Sequence, residues 1–114
     1  MIKASDCIKL ARDHLNDAQE PHRWGDSQLL AYLNQSLGDA FRDRPDLMVD
    51  GAGKCVTGAK FETAETGEVF LDGKYAAALA LGCAARAFEL DNSDTANLSL
   101  ADRLFARASM ELRK

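Results

Sequence analysis

KYAAALALGCAARAFEL, running from Lys74 to Leu90, is the stretch whose reading decides the fold. Ala76, Ala77, Leu79, Ala80, Leu81, Cys83, Ala84, Ala87 and Phe88 surround a helix drawn through it almost completely. A helix that is apolar all round has to be buried all round. Two coverings meet that demand. One is the rest of the chain, which makes this a central helix wrapped by three others. The other is a neighbouring subunit. A chain of 114 residues has little protein to spare, and the many small side chains permit close helix approach. That composition therefore also predicts self-association.

The flanking segments supply the other helices. A fourth helix runs from about Thr95 to Leu112, after the polar turn Asp91-Asn92-Ser93-Asp94. Its apolar face is Ala101, Leu104, Phe105, Ala108 and Leu112, and its other side bears Asp102, Arg103, Arg107 and Arg113. A second helix runs from Asp26 to about Arg44, where Pro45 restricts the residue before it. Its stripe is Leu30, Leu33, Leu37, Ala40 and Phe41, widened by Leu29. Asp26 is suited to cap it, and Trp24 to staple onto its first turn. A first helix runs from Ser5, as N-cap, to about Ala18, with Ile8, Ala11, Leu15 and Ala18 on one face and Cys7 beside them.

The middle, from Pro45 to Gly73, changes character. It holds five of the eight glycines, among them Gly51 and Gly53. Lys60 to Thr63 and Glu68 to Leu71 read as two short strands joined across Ala64-Glu65-Thr66-Gly67. An isolated hairpin is marginal in water, so it has to lie on the helices or on a neighbour. The expected fold is therefore mainly α: one domain, 1–114, a four-helix bundle-like subunit. A small β-hairpin or loop insertion separates helices 2 and 3.

Composition narrows the function classes. Apolar residues make up 46 % and charged residues 28 %, the balance of a globular protein. The net charge of -4 argues against a DNA-coating protein, which shows a basic stripe. Ordinary solubility accounts for that charge. Cys7, Cys55 and Cys83 are odd in number and widely spaced, the usage of a reducing compartment. The apolar run Tyr75 to Ala85 is far short of the roughly 18 residues of a membrane span.

The chemistry-bearing constellations fail on spacing. Gly51-Ala52-Gly53-Lys54-Cys55 resembles the tail of a phosphate-cradling loop. The motif wants a glycine where Met48 stands and a Ser or Thr where Cys55 stands, so a surface loop is the better reading. Cys7, His14 and His22 lack metal-ligand spacing. No nucleophile has a base at a telling distance. No catalytic, metal or cofactor residues are expected. Trp24 reads as an anchor between helices 1 and 2, with a binding hot spot as the rival. The expected structural anchors are Trp24, Asp26, Leu30, Leu33, Leu37, Phe41, Phe88, Leu104 and Phe105.

The order of motifs carries a resemblance. Arg23-Trp24-Gly25-Asp26, then Leu29-Leu30-Ala31-Tyr32-Leu33-Asn34, then Arg44-Pro45-Asp46, resembles the opening of the head-to-tail adaptor, or connector, proteins of tailed bacteriophages. Leu71-Asp72, the Ala-rich helix ending Arg86-Ala87-Phe88, and Asp91, Asp94, Asn97, Ala101 and Phe105 are similar to that family's C-terminal helix pair. Gly25 departs from the Ser or Thr the family usually has before the Asp, and the region between the helix pairs is short. The resemblance implies a structural virion protein rather than an enzyme. It implies a ring, a dodecamer in the family, between the portal protein and a tail or nozzle protein, at the head–tail junction of a particle assembled in the host cytoplasm. DNA passes through such a ring without sequence-specific binding, and an acidic lumen suits that passage.

A ring needs one patch to meet a different patch on the next subunit. The candidates for neighbour or portal contact are Gly51, Gly53, Lys54, Phe61, Val69 and Phe70 in the insertion, and Arg107, Met110, Leu112 and Arg113 in the C-terminal arm. Two other readings stand beside this one. A DNA-interacting bundle, such as a small terminase subunit or a regulator, would use Arg103, Arg107 and Arg113. An unrelated cytoplasmic helical interaction domain would use none of these motifs.

Overall fold

The apolar helix lies at the centre. The computed structural model describes residues 2–17, 24–48, 60–69, 71–90 and 96–113. In chain order the elements are β1 (Ile2–Lys3), α1 (Ala4–Leu15), α2 (Asp26–Asp43), β2 (Glu68–Val69), α3 (Ala76–Glu89) and α4 (Ala96–Leu112). Single 3-10 turns at Pro45–Met48 and Gly73–Tyr75 follow α2 and lead into α3. All eight residues from Ala78 to Ala85 are buried, because α1, α2 and α4 each pack on α3. The chain covers its own apolar helix. Excess apolar surface on α3 is therefore no argument for self-association.

Leu29, Leu33 and Leu37 of α2 and Leu79 and Leu81 of α3 are fully buried. Each contributes about 2 kcal/mol of transfer free energy. The buried face of α2 is Leu29, Leu33, Ser36, Leu37 and Ala40. Leu30 and Phe41, expected at its centre, sit half-buried on its flank. Ser36 Oγ donates to the Leu79 carbonyl at 3.1 Å. A methyl at Gly82 would stand 2.2 Å from Ser36 Oγ and 3.1 Å from its Cβ. Glycine is thus required where α2 crosses α3, despite its poor helix propensity.

Three local expectations change. Ser5 is not the cap of α1. The helix begins at Ala4 with Lys3 in the cap position and no side-chain cap. The Ala4 N–H instead donates to the Gly67 carbonyl at 2.8 Å, so the insertion satisfies a free helix-end group. The helix stops at Leu15 rather than near Ala18. Asn16 takes a left-handed conformation (φ 55°), and the Asp17 N–H returns to the Arg12 carbonyl at 2.8 Å. Asp26 is not the cap of α2: Gly25 holds that position, and Asp26 turns its carboxylate to Arg12.

The hairpin is also corrected. Glu68 and Val69 do form a strand, but their partner is β1, with Ile2 opposite Val69 and Lys3 opposite Glu68. Residues 60–63 are not a strand. The chain does turn sharply after them, with the Gly67 N–H bonded to the Thr63 carbonyl at 3.0 Å. Asn34 then serves residue 61 as a strand neighbour would. Its side-chain amide donates to the Phe61 carbonyl at 3.0 Å and accepts from the Phe61 N–H at 2.7 Å. Residue 61 of the insertion is thereby tied to α2, and the strand that follows to the start of α1.

Candidate interaction surfaces

Charged brackets hold the bundle at both ends. At one end is Arg12, a buried arginine on the inward side of α1. It donates to Asp17 Oδ2 at 2.7 Å, to the Trp24 carbonyl at 2.9 Å and to Asp26 Oδ1 at 2.6 Å. The Trp24 N–H reaches the same Asp17 oxygen at 3.3 Å. Both sides of the α1–α2 connection are therefore held by one guanidinium. The Trp24 ring is buried and stands edge-on to Phe88 of α3, centroids 6.1 Å apart at 82°. The tryptophan is an anchor, as read from the sequence, but its ring anchors onto the end of the central helix.

At the other end is Arg44, which closes α2. Its guanidinium pairs with Asp46 at 2.6 Å, and Nη1 donates to the Tyr75 hydroxyl at 3.2 Å and to the Leu112 carbonyl at 2.8 Å. Arg44 thus caps the C-terminus of α4, where a cation is favoured by the helix dipole. The Asp46 hydrogen bond is the first cause that raises Arg44 above its ordinary value, and the same bond lowers Asp46 below its own.

Between α2, α3 and α4 runs a groove of about 310 Å³ lined by Asp39, Arg86 and Phe105 among others. Asp39 accepts from Arg42 at 2.8 Å and from Arg86. The Arg86 guanidinium lies over the Phe105 ring, 5.9 Å from its centroid. Phe88 and Phe105, expected as anchors, are both half-buried against the core, and Leu104 is buried.

The expected contact residues divide. Phe61, Val69 and Leu112 are buried in the chain's own core and offer nothing to a neighbour. A phenylalanine beside a glycine-rich loop looks free in sequence because the Asn34 clamp that seats it lies far away in the chain. Arg107, Met110 and Arg113 are exposed on or just beyond α4. Gly51, Gly53, Lys54 and Phe70 lie outside the described residues. Arg12 and Arg44 lie outside the site residues expected from the sequence. A charge interrupting the inward face of α1 is the one signal that marks Arg12.

The two described cysteines are structural in their surroundings. Cys7 and Cys83 are free and buried. Cys7 is pushed from 9.0 to about 12, first by burial and then by the Asp6 charge. Cys83 is likewise pushed to about 12, chiefly by burial, and its thiol donates to the Leu29 carbonyl at 3.4 Å. In a Cys55→Ser variant at about pH 8, neither thiol should react with a disulfide reagent until denaturant is added. Rapid labelling of the folded protein would contradict the packing described. The linkage has a definite sign. Unfolded thiols ionise from about 9 upward while the folded ones keep their protons to about 12, so these groups leave stability unchanged below 9 and diminish it as pH rises from there.

Among the described residues, no group of three or more His, Cys, Asp or Glu could hold a metal ion, and no helix is long and apolar enough to cross a membrane. Compared with protein-family models, with curated proteins and with solved structures, the chain matches none of them.

Proposed function

We propose that the chain is a structural virion subunit, a head-to-tail adaptor that forms a ring between portal and tail and extends the DNA channel. One observation carries the reading. The motif residues that resemble the adaptor family do connected structural work in this fold. Asn34 clamps Phe61 of the insertion. Arg44 and Asp46 fix the exit of α2 against Tyr75 and the end of α4. Trp24 locks the entry of α2 onto Phe88. These contacts hold the insertion and the last helix in fixed relation, which is what a subunit placed between two assemblies requires.

The test is direct. Purified protein mixed with portal assemblies should co-sediment with them, and micrographs of the complex should show an added ring at the portal's tail side. Failure to co-sediment at micromolar concentrations would overturn the proposal.

The DNA-interacting reading has one observation in its favour. Arg103, Arg107 and Arg113 are all exposed. Asp102, also exposed, offsets one of these charges. A salt-dependent gel shift by the purified chain would move the preference to that reading.

A further inference from the structure

Two helices of this chain carry outward stripes that are opposite in charge and that each expose apolar surface. On α4, Leu100, Arg103, Arg107 and Met110 fall on one outward side at helical spacing, and all four are exposed. On α1, Asp6, Leu10 and Asp13 fall on the side opposite the buried Cys7, Ala11 and Leu15, and all three are exposed. Lys9 lies along one edge of that stripe. Among the described residues, none of Asp6, Asp13, Arg103 and Arg107 forms a salt bridge within the chain.

The charge spacings differ by an amount that arginine side chains can span. Asp6 and Asp13 stand about 10.5 Å apart along their helix, with Leu10 between them. Arg103 and Arg107 stand about 6 Å apart, with Leu100 and Met110 outside them. Laid against each other, the charges miss register by about 2 Å at each end, well within the reach of an arginine side chain. Leu10 then meets the arginine stems, and the flanking Leu100 and Met110 lose water. Met110 is 66 % exposed and Leu100 and Leu10 each 38 %, so there is apolar surface to remove.

We infer that α1 of one copy docks on α4 of a second copy through these stripes. The partner is the same chain, because the same chain carries both halves of the complement. The contact joins unlike patches, as the proposed ring needs, but it rests on the charge pattern and not on that ring. The fold shows why these stripes stay available. α3 holds the inner faces of both helices, and neither outer stripe is used in the core. The charges of Arg107 and of the adjacent Asp13 are both felt at His14 of the same chain. His14 lies below its ordinary 6.5, first from burial and second from Arg107, with Asp13 opposing.

Sedimentation equilibrium of the full chain tests the contact. The wild type should self-associate at low ionic strength and dissociate as salt rises, since exposed pairs are screened. Arg103→Glu with Arg107→Glu should weaken association at least about tenfold, because like charges then face each other. Adding Asp6→Lys and Asp13→Lys to that variant should restore it. Circular dichroism on each variant separates a lost contact from a lost fold. A wild type that stays monomeric at low salt, or a folded charge-swapped variant that fails to recover, would overturn the inference. A monomer that still co-sediments with portal would sink this contact and leave the adaptor reading standing. Self-association by a chain that ignores portal would do the reverse.

Discussion

Arg12→Ala should destabilise the fold by about 3–5 kcal/mol, the loss typical when one member of a buried ion pair is removed. Not all of its contacts contribute equally. Asp26 is exposed, so its pairing with Arg12 is worth at most about 1 kcal/mol. Asp17 and the Trp24 carbonyl matter more. The side chains of Arg12 and Asp17 are only 8 % and 7 % exposed. Removing the guanidinium takes the buried ionic partner from a carboxylate that little water can reach. Lysine should not rescue the change, because a single ammonium cannot follow the diverging geometry of three acceptors. Arg12→Met combined with Asp17→Leu should recover part of the loss, since it removes both buried charges and puts apolar side chains in their place. Urea denaturation of the four proteins reads the series. A single variant within about 1 kcal/mol of wild type would show that the bracket does not hold the α1–α2 connection.

Phe61→Ala should be comparably damaging, at about 3–5 kcal/mol, because the ring is 1 % exposed and its loss leaves a large cavity in the core. Asn34→Ala removes the two hydrogen bonds that seat the same residue. Those bonds are only part-buried, so their loss should cost about 1–3 kcal/mol. The ring therefore dominates and the clamp aligns it. A Phe61→Ala protein with unchanged stability but altered assembly would instead restore Phe61 to the contact surface expected from the sequence. Thermal melts alongside sedimentation distinguish these outcomes.

Helices were legible because their signals are local. The apolar run that fills α3, the proline after Arg44 and the leucine spacing of α2 each act within a few turns. The exposure of Arg107 and Arg113 follows from the polar side of α4 for the same reason. What escaped the sequence was long-range. Nothing local shows that Val69 pairs with Ile2, or that Asn34 accepts the backbone of Phe61. A hairpin was expected because adjacent strands with a turn between them are the simplest pairing. The N-terminus wins because its pairing also satisfies the first N–H of α1. Capping misled in the same way. Asp26 has the chemistry of a cap, but the buried guanidinium of Arg12 competes for its oxygen. The covering of α3 could not be chosen from composition, since both coverings present the same residues to the same apolar surface.

The pairing of β1 with β2 bears on the order in which the molecule assembles itself. Contacts within each helix close over a few residues and form early, whereas Ile2 and Val69 are joined only after most of the chain has been gathered. Closing a loop of that length carries an entropy penalty that short-range contacts escape, and topologies rich in such contacts fold more slowly. The insertion should accordingly be the last part to settle, after the helices that give both strands their places.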